Sequence, residues 1–426
     1  MNRQQNKGMV LLLSLCDCYI TLGGTSKVVL EHSNILMRSG YDIVFISPYK
    51  ARECDSFSGW WVIYANGVFR AVTSTDDLCA WAKGAQSNID ALYIHHLKGI
   101  ENDDTLAFVD ALSCKLIYYV HDFASICTTT TAIVSVKQGN SFARCGVSRP
   151  NVSDCKNCAF RDATIANYRW YENFFDRFRD RLTVVAPSAA AADIWQGAFR
   201  QCGIRLIVIP HLKQIGSVPY SCPKHSRLRL AFVGVDTPEK GGDAWREIVH
   251  SDVAGRYDLY HFGTASERFD NVTYVDVDFH SSQTAMTDAL LANEIDCALL
   301  WSLWPETYSF TYFECSSALA FIITCQQSGN IAAMVDKQAT GVVFHDVDAL
   351  MGALSNTDVF PDAAKRYREG IHERPLFEMN DQFIEDTGIG ESAGRAYLDA
   401  CSCSIPHGNP MKKAVYLAKR YKRIHR

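Results

Sequence analysis

Residues 295–314 read Ile295-Asp296-Cys297-Ala298-Leu299-Leu300-Trp301, then Ser302-Leu303, then Trp304-Pro305-Glu306-Thr307-Tyr308-Ser309-Phe310-Thr311-Tyr312-Phe313-Glu314. The first part is a short, nearly unbroken apolar run, the pattern of a strand covered on both faces. The second part reads as a turn into a helix, with two glutamates eight positions apart. The start of a helix offers N–H groups with no partner inside the helix, which suits an anion. Carboxylates accept hydrogen bonds from hydroxyls. The ligand that fits both features is anionic and hydroxylated, as nucleotide sugars are.

The same alternation extends outward in both directions. Apolar runs at 9–16, 42–47, 60–65, 91–96, 115–120, 183–187 and 205–209 alternate with amphipathic stretches, and so do runs at 228–234, 257–262, 272–277, 295–301 and 320–324. This predicts an α/β architecture in which a doubly wound parallel sheet occurs twice. Residues 213–226 have turn residues and no periodicity, and they read as the linker. The division is an N-terminal unit over 1–212, a linker over 213–226, a C-terminal unit over 227–395 and a basic tail over 396–426. Two such units facing each other form a cleft, where ligands commonly bind.

Composition agrees with a globular, two-domain chain: 426 residues, 48% hydrophobic and 21% charged. The net charge of −5 gives no case for nucleic-acid binding. It conceals an asymmetry, because residues 411–426 hold seven Lys or Arg and no acid, leaving residues 1–410 at −12. The opening run Met9 to Cys16 is short for a signal peptide and lacks a small-residue cleavage site, so it reads as a buried first strand. No stretch approaches the ~20 apolar residues of a membrane span. Most of the sixteen cysteines sit singly in apolar runs, which points to a reducing cytoplasm.

After the first run, Gly23-Gly24-Thr25-Ser26 opens a helical stripe that Gly40 closes. Thr25 or Ser26 is placed to cap this helix, and the glycines allow a ligand close to the backbone. The dinucleotide fingerprint G-x-G-x-x-G is absent, which argues against a dehydrogenase.

Gly23-Gly24 opening a helix, His121-Asp122 and Pro187-Ser188 after strands, Lys240-Gly241-Gly242, and Glu306 with Glu314 together resemble glycosyltransferase family 4, in order across residues 9–345. The resemblance implies the GT-B fold and a retaining transfer of a sugar from a nucleotide-sugar donor to a growing glycan, without a cofactor in catalysis. Bacterial cell-surface polysaccharide assembly (O-antigen or capsule) is the setting it suggests, with an acceptor that is glycan and lipid-linked in some members. By the same resemblance Glu306 contacts the donor sugar and Glu314 the ribose, and the Tyr308, Ser309 and Phe310 backbone lies near sugar and diphosphate. Lys240 would neutralise the diphosphate, His121 would sit near the transferred sugar, and Gly23 and Gly24 would let the first loop approach. His121, Glu306 and Lys240 are thus the catalytic candidates. His95 and His96 are candidate pocket lining, and Asp122 is placed to orient His121. Two positions depart from the family: Val235 stands where it has an arginine, and Ala318-Leu319-Ala320-Phe321 replaces its Gly-x-Pro. A nucleotide-sugar epimerase or phosphorylase, or a non-catalytic glycan-binding or partner-binding module, would use the same fold; the order of motifs favours the transferase.

Two features lie outside that pattern. Cys127, Cys145, Cys155 and Cys158 fall in an insertion over 123–165, the last two as C-x-x-C, a spacing suited to a structural zinc site. In the tail, Met411, Val415, Ala418, Tyr421 and Ile424 share one helical face among the cations, so residues 411–426 read as a basic amphipathic helix. Such a helix suits an anionic membrane surface or packing across the two domains, so the chain is expected in the cytoplasm and peripherally on the inner face of the membrane.

Overall fold

The structure is a computed structural model. It describes residues 7–21, 23–50, 57, 59–131, 133–136, 141–145, 149–156, 158–277, 282–356, 359–389, 405–406 and 408–424. The strands are β1 (Gly8–Leu13), β2 (Tyr41–Pro48), β3 (Trp60–Ala65), β4 (Val68–Ser74), β5 (Ile89–Ile94), β6 (Lys115–Tyr119), β7 (Ile133–Val136), β8 (Ser141–Arg144), β9 (Leu182–Ala186), β10 (Arg205–Val208) and β11 (Leu212–Pro219) in the first half. In the second half they are β12 (Arg229–Val233), β13 (Asp258–Phe262), β14 (Val272–Val275), β15 (Cys297–Leu299), β16 (Phe321–Cys325), β17 (Gly341–Phe344) and β18 (Glu373–Met379).

The first sheet has the order β10-β9-β6-β5-β1-β2-β3-β4, and the second β14-β13-β12-β15-β16-β17. The second is parallel throughout. β1, the Met9 run, lies buried near the middle of the first sheet. Each sheet carries apolar clusters on both faces, which is why its strands read as continuous runs rather than alternating ones. The GT-B arrangement expected from the sequence is the one observed.

Several strands correct the sequence reading. The run at 60–65 is not parallel: β3 pairs antiparallel with β2 and with β4. Asn66-Gly67 makes the hairpin, both residues having positive φ (48° and 76°), and β4 itself has no counterpart among the predicted runs. The stretch taken as an irregular linker begins with β11, which pairs antiparallel with β18. The weakly patterned β17 at the edge of the second sheet was not among the predicted runs either, nor were β7, β8 and β18.

The Pro410–Ile424 helix packs on β4 of the N-terminal unit. Its inward side is not the predicted stripe. Tyr416 is buried, its hydroxyl 2.6 Å from that of Tyr64 and donating to Asp17. Lys412 lies 4.6 Å from the centre of the Trp60 ring and Arg420 5.4 Å from that of Tyr64. Met411, Val415, Leu417 and Tyr421 are exposed instead; the Ile424 side chain lies outside the described residues. No described helix is long and apolar enough to cross a membrane.

In the C-terminal unit a buried ion pair fixes the start of β15. Arg368 donates to Asp296 and, at 2.9 Å, to the Ile295 carbonyl. Asp296 also accepts from Arg229 N–H at 2.8 Å and lies 3.0 Å from His225 Nδ1. Removing one member of a buried pair leaves the other without its counter-charge. Arg368→Met is therefore expected to cost about 3 kcal/mol in urea unfolding, and pairing it with Asp296→Asn to recover part of that loss. A single variant as stable as the parent would show the pair to be dispensable.

Candidate functional site

The site forms where the carboxyl ends of both sheets meet, as ligand sites in open α/β sheets do. On the N-terminal side, β5 and β6 are parallel neighbours, so the residues following them stand together. His95 Nδ1 and His121 Nε2 are 2.9 Å apart, and His96 Nε2 and Asp122 Oδ2 also 2.9 Å. Asp122 thus pairs with His96, not with His121 as the sequence suggested. Burial opposes the Asp122 charge, but the charge and hydrogen bond of His96, with the Ala124 N–H, outweigh it and hold the carboxyl below its usual range.

His211, which follows β10, completes a column of rings. It stacks on His121 at 5.6 Å and on Phe310 of the opposite unit at 5.9 Å, while His32 stacks on Phe383 at 4.1 Å. Burial lowers His32 and His211 to about 3, with neighbouring imidazoles acting the same way. Burial likewise drives His95 and His121 well below the ordinary value. The whole column is uncharged at neutral pH.

Gly23 precedes the Gly24–Arg38 helix with φ 153° and ψ 163°, a conformation open essentially to glycine alone. Neither Thr25 nor Ser26 caps the helix, contrary to expectation; Ser26 is buried, its Oγ 3.5 Å from Cys16 Sγ. A Cβ on Gly23 or Gly24 would meet nothing within 4 Å, so the loop is open to solvent.

On the C-terminal side, Glu306 lies on the loop after β15 and is only 6% exposed. Its Oε1 accepts from Ser302 Oγ at 3.1 Å and from Lys240 Nζ. Lys240 reaches it from the turn after β12, with its ammonium 5.0 Å from the Trp304 ring centre. Gly241 holds that turn against the loop, because a Cβ there would lie 2.3 Å from the Trp301 carbonyl oxygen. Ser309 caps the Phe310–Ser317 helix through the Tyr312 N–H, and Glu314 projects one turn in. The Glu314 side chain is 13% exposed; burial raises its pKa and Lys27 lowers it. Its carboxylate accepts no hydrogen bond from the described residues, and Lys27 Nζ stands 3.8 Å away.

Contacts between the units converge on Thr307. Its hydroxyl donates to the His121 carbonyl at 2.6 Å, and its own carbonyl accepts from Ser188 Oγ at 2.7 Å. Tyr308 accepts from the Leu212 N–H at 3.0 Å. The structure therefore gathers His121, Lys240, Glu306, Tyr308, Ser309, Phe310 and Glu314 along one cleft, with Lys27 of the Gly23-Gly24 helix reaching into it. Val235, 48% exposed, supplies no charge. Leu319 takes a left-handed φ of 56° and is buried. Lys27, His211, Ser302 and Thr307 went unnoticed in the sequence. Gly329 did too; a Cβ there would lie 2.6 Å from the Glu306 nitrogen.

The four insertion cysteines do not form the expected ligand set. Among the described residues, no three of His, Cys, Asp and Glu are placed to hold a metal. Cys127 Sγ instead lies 3.1 Å from Thr129 Oγ1, and Cys158 Sγ accepts from the Phe160 N–H at 3.4 Å. Burial pushes the Cys155 thiol up, and Cys145, Cys158 and Cys127 push it the same way.

No protein-family model matches the chain, and no curated protein matches it. Among solved structures it is similar to sucrose-phosphate synthase from Thermosynechococcus elongatus, with a TM-score of 0.55 and 13% identity over 85% of this chain and 93% of that one. The catalytic domain of starch synthase IV from Arabidopsis thaliana, bound to ADP and acarbose, aligns at 0.48 and 13% identity over 90% and 97%. HepE from Anabaena in complex with UDP-glucose aligns at 0.49 and 12% over 85% and 93%. At such identities the likeness speaks for the fold.

The histidine column gives a pH test. A histidine with a folded pKa near 3 and an ordinary value of 6.5 binds more protons when unfolded, so between these values stability falls as pH falls. Urea midpoints measured from about pH 7 down to about pH 4 should decline, and His32→Phe, which keeps a ring against Phe383, should flatten the decline. An unchanged slope would exclude His32 as a source.

Proposed function

We propose that this chain is a retaining glycosyltransferase that moves a sugar from a nucleotide-sugar donor to a glycan acceptor. The observation that carries the reading is the Lys240–Glu306–Ser302 cluster, set beside a helix start and tied through its neighbour Thr307 to the backbone of His121. A buried carboxylate suits the hydroxyls of a donor sugar, and the lysine beside it suits a diphosphate. Glu314, nearly buried and accepting no hydrogen bond among the described residues, suits the vicinal hydroxyls of a ribose.

In the proposed mechanism the bond between the anomeric carbon and the diphosphate oxygen breaks, with its electron pair leaving on the diphosphate. The acceptor hydroxyl forms the new bond on the same face, and its proton passes to the departing phosphate oxygen. Lys240 stabilises the charge that develops there. Glu306 fixes the sugar. His121, kept neutral by burial and engaged at Nε2, has Nδ1 left to meet a sugar hydroxyl. Closure of the two units on Thr307 excludes water that would hydrolyse the donor. The chain's own groups supply positioning and charge, and no cofactor enters the scheme.

The proposed setting is bacterial surface polysaccharide assembly, with the acceptor at an anionic membrane surface. The outward face of the Pro410–Ile424 helix supports this, because it exposes Met411, Val415, Leu417 and Tyr421 in a tail with seven cations and no acid.

The first test is a thermal-shift panel of nucleoside diphosphates and nucleotide sugars, since a ligand that binds only the folded state raises its melting temperature. With the stabilising donor and a glycan acceptor, Glu306→Gln and Lys240→Met should each lower kcat by about a hundredfold or more. Unchanged transfer in both would reject the site. Donor isomerised or cleaved without an acceptor would point to an epimerase or phosphorylase. For the tail, Met411→Ser with Val415→Ser and Tyr421→Ser should reduce co-sedimentation with anionic vesicles; equal partition would remove the membrane role.

A further inference from the structure

We infer that Lys27, on the N-terminal unit, is a second diphosphate-binding cation, and that it engages the donor only when the two units are closed. This deepens the proposed function and depends on it. Lys27 lies in the first turn of the Gly24–Arg38 helix, yet its ammonium contacts the other unit, 3.8 Å from Glu314 Oε1 and 4.7 Å from the Phe310 ring centre.

The charges in the cleft support the assignment. Lys240 is held by Glu306, and a diphosphate carries more negative charge than one lysine balances. The C-terminal unit offers only an exposed apolar side chain at Val235. Lys27 remains 32% exposed and is loosely held: 3.8 Å is beyond hydrogen-bond reach. The two lysines thus do parallel work, each neutralising a site carboxylate before the ligand arrives.

Ribose and diphosphate are adjacent along a nucleotide. When ribose hydroxyls take Glu314, Lys27 need only rotate its four-carbon stem to meet the phosphates, as Lys240 does when the sugar takes Glu306. Because Lys27 and Lys240 belong to different units, a diphosphate contacting both ties the units together. A nucleoside does not, since it lacks the phosphates.

The test compares the nucleoside diphosphate that stabilises the wild type (UDP, GDP or ADP) with the matching nucleoside, by calorimetric titration. Lys27→Met and Lys27→Gln should weaken the diphosphate about tenfold or more and leave the nucleoside within about twofold, while Lys27→Arg keeps most of the affinity. Equal diphosphate affinity in wild type and Lys27→Met overturns the role of Lys27 and leaves the proposed function standing. Parallel loss of nucleoside and diphosphate overturns it too, because it places Lys27 at the ribose carboxylate alone. A wild type that binds no nucleoside diphosphate overturns both.

Discussion

Thr307 is the point on which the cleft depends. Its hydroxyl and carbonyl are both taken by the N-terminal unit, the first by the His121 carbonyl and the second by Ser188 Oγ. Its neighbour Glu306 is held by Lys240 and Ser302 of its own unit. One peptide bond therefore separates a residue fixed by one half of the molecule from a residue fixed by the other. The position of the catalytic candidate Glu306 relative to His121 is set through this short piece of backbone, so small errors in docking the units are carried directly to the site.

Buried charge is costly unless it is paired, and this constrains the carboxylates of the cleft. Glu306 is nearly buried and has a close lysine; Glu314 is nearly buried and has a distant one. The first pair is a strong hydrogen bond within one unit, the second a loose contact across the cleft. In the proposed function a polyhydroxylated dianion exchanges both at once, with hydroxyls for the carboxylates and phosphates for the lysines. The site is thus pre-arranged in charge before any ligand enters, and the weaker of its two pairs is the one that spans the units.

The parallel strands were legible because both faces of each sheet are covered, so their sequences are continuous apolar runs. The β3–β4 hairpin was misread although Asn66-Gly67 announced it, because the run at 60–65 is as apolar as its parallel neighbours: both its faces are covered too. The residues gathered at the cleft were legible through motif order. The partner of Asp122 was not, since His95, His96, His121 and Asp122 follow two neighbouring strands whose register sets Ile94 against Tyr118, and that register alone does not bring 121 to 95 or 122 to 96. Lys27 and Thr307 act across the cleft, and local periodicity carries no information about such contacts.

The C-terminal helix shows how far a correct local reading can stand from the outcome. The stripe Met411-Val415-Ala418-Tyr421 was found correctly as a helical face, and burial of apolar surface would turn it inward. The N-terminal unit offers something else there: the rings of Tyr49, Trp60, Tyr64 and Phe69, with Asp17 beneath them. Aromatic faces attract cations, and a buried carboxylate needs donors. Lys412, Lys413 and Arg420 satisfy the rings and Tyr416 satisfies Asp17, so the charged side of the helix is the one that docks. What the helix leaves outside is then its apolar stripe, a face that water does not favour and that another surface would cover.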